Sequence, residues 1–222
     1  MTKHDVVELI FSLFLYKIGN MFLKKTQNTI IAVMIIAGTS CGISQTENHE
    51  SNNGTTRTLY LVRHAKSCWD DSSLRDDERP LNKRGLRDAP FMGQLLKELG
   101  VFPQIMISSP ANRAITTAKI IAEEIGYDTG MIEQNPSVYE ASTGELLDII
   151  HNLDDSISSV MLVGHNPGFT GIANYLLSEY FDNVPTCGIV AISFNSSWKD
   201  IKRNTGTLVF YEYPKKHSKQ TD

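Results

Sequence analysis

The sequence predicts an α/β fold, a three-layer α/β/α sandwich built on a largely parallel central sheet. Two observations predict it. Short apolar runs of strand length alternate along the chain with segments whose apolar residues recur at helical spacing. In addition, polar residues follow directly after several of the apolar runs, as they do at the ligand-binding edge of parallel sheets. Strands that alternate with helices form sheets covered by helices on both faces.

Six extended segments are predicted, and most are apolar runs typical of strands buried on both faces. The first of them, Leu59–Val62, stops abruptly at two polar residues. The segment 131–139 is the least apolar and is expected to be extended up to Glu140. Together the predicted strands span residues 59–62, 104–109, 131–139, 159–164, 188–194 and 207–213.

Four helices are predicted between these strands from apolar residues at helical spacing. Pro90 lies inside the first helix and should kink or shorten it. Pro110 should open the second helix, at the position where a missing N–H costs least. Gly100 and Gly126 follow the last periodic residues and should end these two helices. The predicted helices span residues 81–100, 110–126, 142–153 and 169–178.

The 222 residues suit one medium-sized domain with appendages. Residues 57–214 form the predicted domain, with no internal repeat and no second domain apparent. The preceding segment, 42–56, is polar, lacks aromatic residues and is typical of a flexible tether. The last residues, 215–222, are expected to be a disordered tail.

The first 41 residues are predicted to be a leader. From Met21, a basic start, an apolar core and small residues lead into Cys41, which is the layout of a secretory signal peptide. A cysteine in this position resembles the lipobox of bacterial lipoproteins, although Gly38 stands where an aliphatic residue is usual. We therefore expect translation to begin at Met21 and Cys41 to be lipidated, giving an exported lipoprotein of a bacterial envelope. The alternatives are an uncleaved anchor in the cytoplasmic membrane and a cytoplasmic protein.

Charge and cysteine content argue against several classes of function. The net charge is −4, and removal of residues 1–41 would leave 17 Lys and Arg against 23 Asp and Glu, a net charge of −6. Such a protein is a poor partner for nucleic acid, and we expect membrane contact only through the leader or an acyl anchor. The three cysteines show no CxxC spacing and the six histidines no paired-ligand pattern, so the sequence calls for no metal or other cofactor. The oligomeric state stays open.

Polar residues follow three of the predicted strands. Arg63 and His64 end the first strand, the serines 108–109 end the second with Arg113 one turn into the next helix, and His165 ends a third. Because the carboxyl ends of parallel strands meet at one edge of a sheet, these side chains should lie together beside two helix amino termini, which favour anions. Guanidinium groups match phosphate oxygens, so the predicted site suits a phosphate dianion.

Three segments carry a resemblance to a known family. RHAKSCWD (63–70), SSPANRAITTA (108–118) and VGHNPG (163–168) resemble the signature segments of the histidine phosphatase (phosphoglycerate mutase-like) superfamily. The usual first segment is RHG followed by E-S-x-W-N, from which Ala65 and Asp70 depart. The compact length and the RHAKS form are most similar to the SixA-type phosphohistidine phosphatases. The resemblance covers residues 57–213 and implies a phosphoglycerate mutase-like fold.

The resemblance also assigns roles. His64 would be the nucleophile that takes the phosphoryl group onto a ring nitrogen, after which water would hydrolyse the phosphohistidine. Arg63 and Arg113 would hold the non-bridging oxygens, and His165 would donate to them as charge builds. These positive groups would supply the charge neutralisation that a metal otherwise provides, so catalysis should survive chelators.

Expulsion of an alkoxide also requires a general acid. The resemblance places it after the second signature segment, where Glu140 is the nearest candidate and Glu145 a second one. If Glu140 is instead a solvated loop carboxylate, labile leaving groups such as imidazole or an activated phenol should be preferred. The carboxylates of 70–78 are expected in a solvated, mobile loop. Ser67 and Asn166 are further candidates for contact with the phosphate.

The sequence thus predicts a metal-independent phosphatase that forms a phosphohistidine intermediate. Its substrate would be a phosphorylated small molecule or a phosphoprotein. Two alternatives stay open: a phosphoglycerate mutase-like phosphotransferase, and a non-catalytic lipoprotein that binds phosphate or a phosphoprotein. The first is disfavoured because the chain lacks the longer insertions that enclose a sugar phosphate, and the second because both histidines and both arginines are present.

Overall fold

The structure is a computed structural model that describes residues 56–217. The six segments predicted to be extended each contribute a strand, although their lengths differ from the prediction. The strands are β1 (Arg57–Arg63), β2 (Ile105–Ser108), β3 (Glu133–Gln134), β4 (Ser159–Gly164), β5 (Ile189–Phe194) and β6 (Thr207–Glu212). They form one sheet in the order β3-β2-β4-β1-β5-β6.

The sheet is mostly parallel, as predicted. Strands β3, β2, β4 and β1 pair in parallel, and β5 and β6 extend the sheet in antiparallel fashion. Strands β1 and β4 are neighbours at its centre, and Arg63 at the end of β1 pairs with Gly164 at the end of β4. The next residue after each strand is a histidine, so the register alone places His64 and His165 side by side.

Helices cover both faces of the sheet. The helices are α1 (Lys83–Glu98), α2 (Asn112–Ile125), α3 (Thr143–His151), α4 (Gly168–Leu176) and α5 (Pro214–His217). One hydrophobic cluster joins the sheet to α1 and α2 and includes Met92 and Ile121. A second cluster joins the opposite face to α3 and α4 and includes Leu146 and Phe169. The predicted three-layer sandwich is therefore confirmed.

The prediction that Pro110 opens a helix was wrong, whereas a kink at Pro90 stays a prediction. Helix α1 continues through Pro90. The carbonyl of Leu86 loses its helical partner there, and Leu86 lies on the solvent-exposed face of the helix, where water can replace the missing N–H. Pro110 precedes α2, which begins at Asn112 after an extended Ala111. The Ala111 N–H is held by the side chain of Ser109 at 3.2 Å, which fixes a turn before the helix.

Two other predicted boundaries also change. The extended segment 131–139 yields only the short β3, because the Asn135 side chain accepts the N–H of Ser137 and starts a 3₁₀ turn at Pro136–Val138. The tail predicted to be disordered from residue 215 begins instead as helix α5. Lys216 and His217 of α5 contact the two carboxylate oxygens of Glu212 at 2.9 and 2.7 Å. Residues 218–222 lie outside the described residues.

The predicted leader falls outside the part of the chain that the structure describes. Residues 1–41, with the lipidation site Cys41, and all of the predicted tether except Thr56 belong to this part. Within residues 56–217, no helix is long and apolar enough to cross a membrane. Export, cleavage and lipidation therefore stay predictions.

Candidate active site

The ends of β1 and β4 bring the two signature histidines together. The backbone N–H of His64 donates to the carbonyl of Gly164 at 2.9 Å, which extends the strand pairing by one residue. The centroids of the His64 and His165 rings lie 5.0 Å apart. Both side chains are buried. The predicted juxtaposition at the sheet edge is therefore present.

His64 is held in one tautomer. Its Nδ1 lies 2.7 Å from the carbonyl oxygen of Ala65, which can only accept, so Nδ1 carries the proton and Nε2 keeps its lone pair. Burial lowers the pKa of His64 to about 4 against the opposing effect of the Ala65 hydrogen bond, and the charges of Arg113 and Arg63 lower it further. The ring is therefore neutral at pH 7, with a nitrogen ready to act as a nucleophile.

His165 is oriented by Ser109. Its Nε2 lies 2.8 Å from the Ser109 hydroxyl, which also accepts the N–H of Ala111. The other ring nitrogen, Nδ1, is buried and has no hydrogen-bond partner among residues 56–217. Burial, then the neighbouring His64 and Arg113, lower the pKa of His165 to about 3. When the Ser109 hydroxyl donates to Nε2, Nδ1 carries the proton and is available to donate to a bound anion.

Arg113, in the first turn of α2, makes a contact that the sequence did not predict. Its Nη2 lies 2.7 Å from Oδ2 of Asp76, and its Nη1 donates to the Asp76 backbone carbonyl. The Tyr139 hydroxyl donates to the same Oδ2 at 2.9 Å. Burial alone would raise the pKa of Asp76, but the hydrogen bonds from Arg113 and Tyr139 outweigh it and the pKa lies below its usual value. Asp76 is therefore an ionised member of the site.

The loop of 70–78 was expected to be solvated and mobile, and this prediction was wrong for its last turn. Residues Asp76–Glu78 form a 3₁₀ turn. The Asn112 side chain, at the start of α2, donates to the carbonyl of Glu78 at 3.0 Å. Together with the pairing of Asp76 and Arg113, this hydrogen bond ties the turn to the first turn of α2.

Arg79 is a third guanidinium at the site, and no sequence pattern distinguishes it from the other charged residues of its loop. Its guanidinium carbon lies 3.6 Å from the centroid of the Trp69 ring, and its Nε lies 4.0 Å from Asp76. Its Nε and Nη1 are buried and have no hydrogen-bond partner among the described residues. The Trp69 ring is mostly exposed, and its Nε1 donates to the hydroxyl of Ser67 at 3.1 Å.

Arg63 and Asn166 meet at one short segment. Arg63 Nη1 donates to the carbonyl of Val184 at 2.8 Å and to the Asn183 side chain at 3.2 Å. The Asn166 side chain donates to the same two oxygens, at 3.1 and 2.8 Å. The predicted binding residues Arg63 and Asn166 are thus anchored to residues 183–184, while the predicted Ser67 is engaged by Trp69.

The two carboxyl groups predicted as proton donors have different surroundings. Glu140 is exposed, has a φ of 52°, and makes no hydrogen bond or ion pair with any residue that the structure describes. Glu145 caps α3, where its Oε2 accepts from the N–H and the hydroxyl of Ser142, both at 2.8 Å. These hydrogen bonds lower the pKa of Glu145, so it is ionised. The role of Glu140 stays a prediction.

The arrangement is suited to phosphoryl transfer. A neutral imidazole nitrogen with a free lone pair lies in the electrostatic range of two arginines, which can hold the oxygens of a phosphoryl group. Nδ1 of His165, which has no hydrogen-bond partner among the described residues, is able to stabilise the charge that develops in the transition state. Among residues 56–217, no group of three or more His, Cys, Asp and Glu side chains is placed to hold a metal ion.

Sequence comparisons identify relatives of this chain. The model of the histidine phosphatase superfamily (branch 1) matches residues 59–155. An uncharacterised chloroplastic protein of Arabidopsis thaliana is 36% identical over 154 residues, which are 65% of this chain and 70% of that protein. An uncharacterised protein of Mycobacterium tuberculosis is 27% identical over 164 residues, covering 69% of this chain and all of that protein.

Solved structures share the fold. A putative phosphohistidine phosphatase SixA from Agrobacterium tumefaciens is 26% identical with a TM-score of 0.61, and the match covers 71% of this chain and 98% of that one. The protein histidine phosphatase SixA complexed with tungstate gives a TM-score of 0.63 at 20% identity, covering 72% of this chain and 98% of that one. The described domain therefore has the size and topology of these proteins.

Proposed function

Because the chain belongs to the histidine phosphatase superfamily and to its SixA-type branch, we propose that it hydrolyses phosphoryl groups by way of a covalent phosphohistidine on His64. Family membership supports a phosphatase or phosphotransferase activity. One observation carries the finer proposal: the Ala65 carbonyl holds the proton of His64 on Nδ1, which leaves the Nε2 lone pair for attack.

The reaction takes two steps. The Nε2 lone pair of His64 forms a bond to phosphorus, and the bond from phosphorus to the leaving group breaks with its electron pair going to the leaving group. A water oxygen then attacks phosphorus and releases a proton to the solvent, the P–N bond breaks, and its electron pair returns to Nε2 as phosphate departs. Arg63 and Arg113 hold the non-bridging oxygens in both steps, and Nδ1 of His165 donates to one of them.

The carboxyl groups around the site favour a labile leaving group. Asp76 and Glu145 have pKa values below their usual range and are ionised, and Glu140 is exposed and forms no hydrogen bond or ion pair with any described residue. A poor leaving group such as an alkoxide needs a proton donated by the protein. An activated phenol does not, and neither does a phosphohistidine whose second ring nitrogen has taken a proton from water, because the ring then leaves as neutral imidazole. We therefore propose phosphohistidine as the substrate class. The SixA structure from Agrobacterium tumefaciens bears the name of a putative phosphohistidine phosphatase.

The proposed chemistry is independent of metal. Two arginines supply the positive charge that a divalent cation supplies in many other phosphoryl-transfer sites. Hydrolysis should therefore proceed unchanged in the presence of a chelator.

The test is phosphate release by the full chain, with chelator present, from an aryl phosphate, an alkyl phosphate and a phosphohistidine peptide. We expect turnover of the first and third and at least a hundredfold slower turnover of the alkyl phosphate. His64→Ala should abolish turnover, and Glu140→Gln should leave it within twofold of the native rate. Equal rates on aryl and alkyl phosphates, lost in Glu140→Gln, would assign Glu140 as the general acid and contradict the leaving-group proposal.

Other outcomes of the same experiment separate the alternatives. Transfer of the phosphoryl group to a second organic acceptor instead of water would identify a mutase-like phosphotransferase. Stoichiometric phosphate binding without turnover would identify a non-catalytic binding protein. Loss of activity with the chelator, restored by a divalent cation, would contradict the metal-independent chemistry.

We also retain the proposal of an exported lipoprotein acylated at Cys41. It rests on the sequence of the leader, where small residues lead into that cysteine. Mass spectrometry of the mature amino terminus tests it. A mature chain that contains Phe11 or Phe14 would contradict both the start at Met21 and the cleavage.

A further inference from the structure

A separate cavity of about 670 Å³ opens next to the candidate active site. We call it the basic groove. Its lining includes Arg63 and Lys66, which lie one residue before and two residues after His64 in the chain, and residues of helices α1 and α5. The charged residues of its walls are Arg63, Lys66, Arg84, Arg87, Lys215 and Asp88.

The basic groove concentrates positive charge on an acidic protein. Among the described residues that line it, five are Lys or Arg and Asp88 is the one carboxylate, whereas the whole chain has a net charge of −4. This local excess of positive charge attracts anions, although the net charge of the whole chain repels them. Its volume falls in the range of cavities that hold a small molecule or a few peptide residues.

Arg84 and Arg87, on α1, line the basic groove and have N–H donors that do not contact Asp88. Asp88, which is buried, lies 2.8 Å from Nη2 of Arg87 and 3.8 Å from Nε of Arg84. The two arginine side chains are 73% and 47% exposed. One carboxylate cannot neutralise two guanidinium groups, so Asp88 positions them and leaves positive charge directed at the groove.

The wall formed by α1 is fixed to the catalytic loop. The N–H of Asn82, the amino-terminal cap of α1, donates to the carbonyl of Lys66 at 2.9 Å. Gly85, in the first turn, lies so close to Lys66 that any side chain there would clash with the Lys66 carbonyl oxygen. The distance between the nucleophile and the α1 arginines is therefore set by the fold, as a specificity site requires.

Helix α5 adds a cation to the lining of the basic groove, and α1 adds an aromatic ring. Lys215 lies on helix α5, which Glu212 anchors through Lys216 and His217. The ring of Phe91, from α1, packs edge-on against His217 with their centroids 5.7 Å apart. The basic groove is thus lined by positive charges on α1 and on α5 and by an aromatic side chain.

We propose that the basic groove binds a second anionic group carried by the leaving-group portion of the substrate. This inference rests on the proposed function, because it places the transferred phosphoryl group at His64 and the rest of the substrate toward Arg84 and Arg87. Two sources supply the same chemistry. One is an acidic side chain next to the phosphorylated residue of a protein, and the other is a second phosphate on a small molecule.

The experiment measures binding by calorimetry to the full chain carrying His64→Ala, so that no turnover is needed. One pair of probes is a phosphohistidine peptide flanked by Asp and Glu and the same peptide flanked by Asn and Gln. The other pair is adenosine 3′,5′-bisphosphate and adenosine 5′-monophosphate. We expect the more anionic member of one pair to bind at least tenfold more tightly, and the pair that shows the preference identifies the source.

Variants of the groove locate the effect. Arg84→Gln with Arg87→Gln should reduce the preference to less than threefold, and Lys215→Gln should reduce it independently by removing a charge on α5. A double control, Lys97→Gln with Lys119→Gln, removes the same charge from exposed positions outside the groove and should leave the preference intact.

Either of two results would overturn the proposal: no preference in either pair, or a preference that survives both groove variants. Turnover of 4-nitrophenyl phosphate by the native chain tests the proposed function separately. If the protein shows no turnover but still prefers the more anionic probe, the proposed role of the basic groove stands and the proposed phosphatase function is contradicted.

Discussion

Arg113 is paired with Asp76 through both of its terminal nitrogens. Nη2 lies 2.7 Å from the carboxylate, and Nη1 donates to the backbone carbonyl of the same residue. The arginine side chain is 8% exposed and the aspartate side chain 40%. Under the proposed role of Arg113, a substrate phosphoryl group would compete with Asp76 for the same N–H donors, and binding of that group would then be coupled to the loop that carries Asp76.

The first prediction concerns Asp76→Asn. Removing the carboxylate charge should lower the inhibition constant of inorganic phosphate by about two- to fivefold, the range expected for a partly exposed ion pair. Asp77→Asn is the matched control, because Asp77 pairs with Arg75, one of the exposed residues of the loop, and should not change phosphate inhibition. Weaker phosphate inhibition in Asp76→Asn would mean that the carboxylate is needed to order Arg113.

The second prediction concerns Ser109→Ala. The Ser109 hydroxyl contacts the ring of His165, whose proposed role is to stabilise the charge of the transition state. Loss of this hydroxyl should therefore lower kcat by about tenfold while KM changes little. Ser108→Ala is the control. Ser108 is equally buried, but its hydroxyl donates to the Ser109 carbonyl and does not contact His165. Equal losses of kcat in the two variants would contradict the assigned role of Ser109.

The residues at the strand ends could be predicted from the sequence because strand pairing alone brings them together. The strand predicted at 159–164 is β4 as observed, and its register with β1 places His165 beside His64. Arg113 follows from the same reasoning, since it lies in the first turn after β2. Each of these positions depends on local periodicity and on the parallel pairing of neighbouring strands.

Asp76 and Arg79 could not be predicted in this way. Their segment is a run of alternating charges, whose composition is that of a solvated loop, and nothing local distinguishes Asp76 from Asp77. The contact between Asp76 and Arg113 joins residues 37 positions apart and forms only when α2 packs beside the turn. The continuation of α1 through Pro90 could not be predicted for a related reason, since tolerance of a proline depends on whether the exposed face of the helix lets water reach the unpaired carbonyl.

The third prediction concerns stability and pH. The pKa values of His64 and His165 fall from about 6.5 in the unfolded chain to about 4 and about 3 in the fold. The unfolded chain therefore binds more protons below pH 6.5, and the free energy of unfolding falls as the pH is lowered from 6.5 toward 4. Each histidine should lower the free energy of unfolding by about 2 kcal/mol between pH 7.5 and pH 5.

Denaturant unfolding at the two pH values measures this effect. The double variant His64→Asn with His165→Asn should lose less stability on acidification than the native chain. His151→Asn is the control, because His151 lies outside the site and contacts the carbonyl of Ile201. The same pH dependence in native and double-variant proteins would contradict the burial of neutral imidazoles.

The fourth prediction concerns Gly85→Ala. A methyl group there would meet the carbonyl oxygen of Lys66, so α1 must shift away from the catalytic loop. We expect a loss of about 1–3 kcal/mol in unfolding free energy and a lower kcat, measured by denaturant titration and by turnover. Gly144→Ala, in the exposed first turn of α3 with space for the methyl group, should instead gain up to about 1 kcal/mol. Equal effects in the two variants would contradict the close packing at Gly85.

The most direct measurement is chemical quenching of the full chain during turnover of a ³²P-labelled substrate. We expect a covalent label, stable to alkali and labile to acid, that reaches at most one per chain and maps by mass spectrometry to His64. The label should be absent in His64→Asn and should persist in His165→Asn. A label on any other residue, or undiminished turnover by His64→Asn, would contradict the assignment of His64 as the nucleophile.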